Sequence, residues 1–228
     1  MDNQPNDVIT NASIVEVPKN DSPVVCVFCG ASSGTAPSHM AAARALATAF
    51  HESNITLVYG GGTTGIMGEL ARSLVKLSGP SSVIGIIPAA LVAFEQSGSV
   101  PEAEKYGQTI IVNSMHTRKQ LMARHVIAGG KGSGFVALTG GYGTLEELME
   151  VTTWNQLGIH NVGIVVFNIN GYYDGLLQWV RGAVSAGFIS EPNGKILVEA
   201  KEAEEVIKSL RDYVNSKGRM NLEWTTEG

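Results

Sequence analysis

The chain has 228 residues, of which 44% are hydrophobic and 16% charged, and its formal net charge is −5. That length suits one α/β domain with an ample core. The sparse, acidic charge supplies no basic field to recruit DNA or RNA, and the longest apolar runs are far shorter than a membrane span.

The first twenty residues are polar and lack a secretory pattern. The expectation is a cytoplasmic protein with no nucleic-acid and no membrane partner. Residues 1–22 carry two prolines and no sustained periodicity, so they read as a flexible tail, with Ile14–Val17 as the stretch able to dock. From Val24 onward strand and helix patterns alternate. Strands are expected at Val24–Phe28, Ile55–Tyr59, Ser82–Ile87, Gln108–Val112, Phe135–Leu138 and Val162–Phe167, with a short seventh at Ile196–Glu199. Helices are expected at Ser38–His51, Ile66–Leu77, Met115–Ile127, Leu145–Leu157, Gly171–Ala186 and Ala203–Asn215. Continuous apolar strands separated by helices imply a parallel sheet covered on both faces. The fold class is therefore α/β, a Rossmann-like, doubly wound parallel sheet with helices on both faces. One nucleotide-binding catalytic domain would span residues 23–215, and residues 216–228 would form a loose end.

Glycine-rich turns follow several strands, and in such a sheet ligands sit beyond the carboxyl ends of the strands. Phe28-Cys-Gly-Ala-Ser-Ser33 follows the first strand and Tyr59–Gly68 the second. Cys26 and Cys29 form a C-x-x-C, but positions i and i+3 of a strand face opposite ways and no further Cys or His completes a zinc set. They read as buried small residues. Gly60, Gly62 and Gly65 fit G-x-G-x-x-G, yet no acidic residue closes the next strand to hold a ribose diol, so NAD is rejected in favour of a mononucleotide. Met115-His-Thr-Arg-Lys119 opens a helix, and cations in a first turn oppose the helix dipole unless an anion answers them. Gly129–Gly134 reads as a tolerated surface insertion rather than a ligand lid. Ser32 and Ser33 lack a marked base partner. The five histidines show no metal spacing.

The most informative stretch is Ala137-Leu-Thr-Gly-Gly-Tyr-Gly-Thr-Leu-Glu-Glu147. A strand that turns through glycines into a helix start offers backbone N–H groups and a positive dipole end to a phosphate. Thr144 and Glu147 also have the spacing of a capping box, which would occupy Glu147 with the helix end and leave Glu146 the freer carboxylate. The spacing alone leaves both readings of Glu147 open.

Together these motifs resemble the LONELY GUY (LOG) family of cytokinin riboside 5′-monophosphate phosphoribohydrolases. The family's P-G-G-x-G-T-x-x-E stands here as Thr139 to Glu147, its M-x-x-R-K as Met115, Arg118 and Lys119, and its F-C-G-S-S as Phe28 to Ser32. Its Y-G-G-G-x-x-G-x-M-G matches Tyr59 to Gly68, and W-x-Q-L-G-I-H matches Trp154 to His160. The resemblance implies a Rossmann-like homodimer that cleaves the N-glycosidic bond of N6-substituted adenosine 5′-monophosphates, and of AMP as a candidate, to free base and ribose 5-phosphate. It implies no metal and no organic cofactor. Many members once carried a lysine decarboxylase label, for which no lysine in a pyridoxal-phosphate context speaks here. Carried over, the catalytic pair is Arg118 and Glu147. Gly140, Gly141, Gly143 and Thr144 would cradle the phosphate. Gly30, Ser32, Gly60, Gly61, Gly62, Met115 and Lys119 would complete the substrate site. Three departures stand out: Thr139 replaces the motif proline, Ala31 replaces a serine, and Asn113-Ser114 replaces residues that are often acidic. The competing class is a non-catalytic carrier of a nucleotide or of molybdenum cofactor on the same fold.

Overall fold

A computed structural model of the chain describes Val17 and residues 19–95 and 100–224. Seven strands form one parallel sheet: β1 (Val24–Phe28), β2 (Thr56–Tyr59), β3 (Val83–Pro88), β4 (Gln108–Val112), β5 (Gly134–Ala137), β6 (Gly163–Phe167) and β7 (Leu197–Ala200). Their order is β4-β3-β2-β1-β5-β6-β7. β1, β5 and β6 are buried along their whole length, which is why they read as unbroken apolar runs. The edge strands β4 and β7 are partly exposed and carry Gln108 and Glu199.

Six long helices cover the two faces. α1 (Pro37–Glu52), α2 (Gly65–Ser78) and α8 (Ala203–Arg211) pack on one. α5 (Met115–Ile127), α6 (Tyr142–Leu157) and α7 (Asp174–Ser185) pack on the other. Two short helices, α3 (Val92–Glu95) and α4 (Ala103–Tyr106), lie in the β3–β4 crossover, where no helix is expected from the pattern. Cys26 on β1 and Cys29 just beyond it sit in the opposite cores, and no disulfide joins them. Burial pushes the Cys26 thiol well up, which keeps it protonated and inert.

The winding direction reverses at β1, whose two neighbours are β2 and β5. The crevice beyond the β1 and β5 carboxyl ends is therefore the topological switch point. The turns after both strands meet there, because the Gly30 N–H donates to the Thr139 carbonyl at 3.0 Å.

Four expectations are corrected or refined. α7 begins at Asp174 rather than Gly171, because Asn170 (φ 52°) and Gly171 (φ 74°) are left-handed and cannot enter a right-handed helix. α8 ends at Arg211; beyond it the Tyr213 hydroxyl reaches the Asn155 side chain at 3.3 Å. The Gly129–Gly134 segment, expected as a surface insertion rather than a ligand lid, lies outside the crevice but has a structural role of its own. It clasps the chain entering β1: the Gly130 N–H donates to the Ser22 carbonyl at 2.9 Å, and the Val24 N–H donates to Ser133 Oγ at 2.9 Å. It lies at the amino end of β5, at the sheet edge opposite the crevice, and it pins residues expected to belong to a flexible tail. Val17 also packs against the core, while Ile14 lies outside the described residues.

The fourth concerns the C-terminal segment, which is docked rather than loose over its described part. Arg219 donates to the Asn155 carbonyl at 2.7 Å and to the His160 carbonyl at 2.6 Å, and the Met220 N–H donates to the Gln156 carbonyl at 2.8 Å. These bonds converge on the Trp154–His160 run at the carboxyl end of α6. His160 there is 3% exposed and its Nε2 bonds the Val151 carbonyl at 2.8 Å, which places the neutral ring's proton on Nε2. Burial lowers its pKa from 6.5 to about 4. Between those values the unfolded chain binds the proton that the fold refuses, so stability falls as pH drops through that window, by about 3 kcal/mol in full. Urea unfolding midpoints from pH 7.5 to 4.5 are expected to decline more steeply for wild type than for His160→Gln. Parallel declines would remove His160 as the cause.

Candidate active site

A cleft of about 260 Å³ opens at the switch point, lined among others by Gly30, Gly60, Met115, Arg118, Gly141, Gly143, Thr144 and Glu147. Those eight come from the turns after β1, β2 and β5 and from the starts of α5 and α6, four places far apart in the chain. Gly140 lies directly behind the lining. A Cβ on it would stand 2.1 Å from Thr144 Oγ1 and 2.9 Å from the Gly30 nitrogen, so only glycine lets the two turns touch.

At the centre Arg118 and Glu147 form an ion pair, Nη1 to Oε1 at 2.8 Å, and they are only 8% and 7% exposed. Arg118 is further fixed by its Nε donating to the Ile86 carbonyl at 3.1 Å. Gly60 makes room for the guanidinium, since a Cβ there would lie 2.3 Å from Nη2. Lys119 pairs with Glu146 at 2.5 Å and with Glu150 at 3.0 Å. The two cations at the start of α5 are thus answered by the carboxylates of α6, which offsets their poor placement on their own helix dipole. Glu146, expected to be the freer carboxylate, is held by Lys119.

The capping-box reading of Thr144 and Glu147 does not survive. α6 starts at Tyr142 with Gly141 as its N-cap and no side-chain cap, which places Thr144 in the third helical position. The first helical bond runs from the Leu145 N–H to the Gly141 carbonyl at 3.2 Å. The backbone N–H groups of Tyr142, Gly143 and Thr144 therefore have no partner within the helix. A glycine cap leaves these donors without a side-chain cap, and Glu147, in the sixth helical position, is beyond the place of a capping-box carboxylate. Glu202 and Glu205 form a capping box on α8.

Several nominated residues stand outside the lining. The Ser32 hydroxyl is exposed and accepts from the Gly34 N–H at 3.4 Å. Gly61 and Gly62, within the turn after β2, are buried. Lys119 faces a neighbouring groove with His116 and Trp154. Two of the departures from the family pattern, at Ser114 and Thr139, can be read locally. Ser114 caps α5 by accepting from the Thr117 N–H at 3.1 Å, so it serves the helix rather than the cleft. Thr139 is buried, and its hydroxyl has no hydrogen-bond partner among the described residues. Its carbonyl still receives the Gly30 N–H, a backbone role that proline could equally fill.

The sequence reading missed Met67 and Leu91, which with Met115 give the cleft an apolar wall. Met67 lay within a quoted motif. Leu91 follows β3 at the same sheet edge, and that position was the available signal. Among the described residues no group of His, Cys, Asp and Glu is arranged to hold a metal ion. Among the described residues no lysine lines the cleft. No helix among the described residues is long and apolar enough to cross a membrane.

Residues 67–210 match the family model described as "Possible lysine decarboxylase". The chain is 50% identical over 206 residues to a bifunctional cytokinin biosynthesis protein of Fusarium pseudograminearum, covering 88% of this chain but 42% of that protein. It is 45% identical over 190 residues to the cytokinin riboside 5′-monophosphate phosphoribohydrolase LOG1 of Arabidopsis thaliana, covering 83% of each. Among solved structures, the Moco carrier protein of Chlamydomonas reinhardtii superposes with a TM-score of 0.57 at 16% identity, over 83% of this chain and 96% of that one. That likeness carries the Rossmann-like fold and nothing more. The family model, the relatives and the motifs at the cleft agree: the chain belongs to the LONELY GUY family.

Proposed function

We propose that the protein is a phosphoribohydrolase that cleaves the N-glycosidic bond of N6-substituted adenosine 5′-monophosphates. The observation that carries the reading is the buried Arg118–Glu147 pair, set one helical turn beyond a run of unpartnered N–H groups. An anion at the start of α6 would bring an attached ribose beside a carboxylate. The relatives' names supply the substrate class.

In this reading the N–H groups of residues 142–144 and the α6 dipole bind the 5′-phosphate. Hydrolysis adds water across the glycosidic bond, the hydroxyl to the anomeric carbon and the proton to the departing base. The ribose passes through an oxocarbenium-like state. The Glu147 carboxylate stabilises that positive charge and accepts the proton of the attacking water. Arg118 orients Glu147 and holds a ribose or phosphate oxygen with its fixed fork. Met67, Leu91 and Met115 receive the flat base and an apolar N6 substituent. The phosphate, remote from the broken bond, supplies binding energy that positions the sugar.

Incubation with isopentenyladenosine monophosphate and with AMP, followed by chromatography, tests this. Free base and ribose 5-phosphate in equal amounts are expected. A nucleotide returned intact would mark a carrier and end the proposal.

A further inference from the structure

Two adjacent tyrosines on the loop after β6 reach across to the loop after β5. The Tyr173 hydroxyl donates to the Leu138 carbonyl at 2.5 Å, and the Tyr172 hydroxyl donates to the Gly140 carbonyl. Between them, the Thr139 carbonyl takes the Gly30 N–H. Three successive carbonyls of the glycine loop are thus claimed from outside, each by a different donor.

The consequence follows from peptide geometry. In a planar trans peptide the C=O and the following N–H point in opposite directions, and no described peptide is cis. Holding the Gly140 carbonyl toward Tyr172 turns the Gly141 N–H the other way, to the side where Gly141 lines the cleft. The peptide joining Gly140 to Gly141 has no side chain on either flank to restrict its rotation. Turned over, it would aim a carbonyl oxygen at a bound anion in place of a donor.

The loop that carries the tyrosines is itself braced. Asn168 donates to Asp174 and to Glu199, both at 2.8 Å, and accepts from the Tyr173 N–H at 2.7 Å. Asn170, in its left-handed conformation, donates to Ser38 on α1 at 3.0 Å. The Tyr172 ring stands edge-on to His39 and to Tyr173, with centroids 6.0 and 5.1 Å away. Tyr172 is 50% exposed, so its ring contributes little to the core. Its hydroxyl nonetheless sits on the backbone of the anion loop.

We infer that Tyr172 is a positioning residue for the substrate's phosphate, acting through the Gly140 carbonyl to keep the Gly141 N–H aimed into the cleft. The inference rests on the phosphate placement proposed above, but not on the chemistry that follows it.

The test is Tyr172→Phe, which removes one oxygen and keeps the ring. Ribose 5-phosphate binding by calorimetry is expected to weaken about tenfold, the effect of one well-placed hydrogen bond. The kcat/KM for the nucleotide should fall by a similar factor, shared between KM and kcat, while the weak turnover of the dephosphorylated nucleoside, which has no phosphate to hold, stays at its wild-type value. Unaltered ribose 5-phosphate affinity would overturn the inference. So would equal losses for nucleotide and nucleoside, which would mark a general structural role. A wild-type protein that binds ribose 5-phosphate without cleaving any nucleotide would end the catalytic reading while leaving this one standing, provided the variant binds more weakly. If the wild type does not bind ribose 5-phosphate, the inference and the phosphate placement fall together.

Discussion

Glu147→Gln is expected to lower kcat by about a thousandfold, because an amide can neither stabilise a ribosyl cation as a carboxylate does nor accept a proton from water. Glutamine keeps the shape of the side chain and an oxygen for Arg118 but not the countercharge, so the variant should fold with a lowered thermal midpoint. The surrounding structure explains why bolder substitutions are harder to interpret. Arg118 and Glu147 are both buried and lie 2.8 Å apart. Removing either partner strands a charge in the interior, at about 3–5 kcal/mol. Arg118→Ala should therefore lose both turnover and stability, and its circular dichroism and thermal midpoint must accompany its kinetics. The double variant Arg118→Ala/Glu147→Gln should lose far less activity than the product of the single losses, since residues acting as one unit are not additive. A folded Glu147→Gln protein with near wild-type turnover would remove Glu147 from the chemistry and return the pair to a purely structural role.

The second large effect concerns the substrate. A nucleoside lacking its 5′-phosphate is expected to show kcat/KM roughly a thousandfold below its nucleotide. Two charge-assisted hydrogen bonds from the start of α6, at about 1.5–3 kcal/mol each, account for a loss of that size. Because the phosphate is remote from the broken bond, the loss should fall on kcat as well as on KM. The side-chain charge of the site contributes less to this preference than its backbone does. Lys119 is engaged by Glu146 and Glu150, and Arg118 by Glu147. Equal kcat/KM for nucleoside and nucleotide would place the phosphate elsewhere or nowhere.

Much of the fold was legible because burial on both faces writes itself into strands as unbroken apolar runs. β1, β4 and α5 fall at the expected residues. Errors gathered where backbone conformation, rather than hydrophobicity, sets the boundary. Gly143 looked like loop, but a helix's first turn has no inward bonds for glycine to weaken, so α6 begins three residues earlier than expected. Gly171 looked compatible with helix, but the positive φ there and at Asn170 delays α7. Arg118 and Glu147 were marked for catalysis by family resemblance; motif spacing alone left Glu147 divided between cap and chemistry.

The alternation of apolar runs with amphipathic segments was enough to specify a parallel, doubly wound sheet, and the glycine turns were enough to mark its ligand edge. Both signals are local and periodic, so one dimension carries them. The pairing of Arg118 with Glu147, the apolar wall that includes Leu91, and the hold of Tyr172 on Gly140 required the folded chain. Each joins residues separated by turns of unrelated sequence, and hydrogen bonds between such residues leave no periodic trace. The same reasoning applies to the Gly129–Gly134 clasp and to the C-terminal segment on α6. Their composition suggests looseness, but their backbone groups find partners that only packing brings within reach.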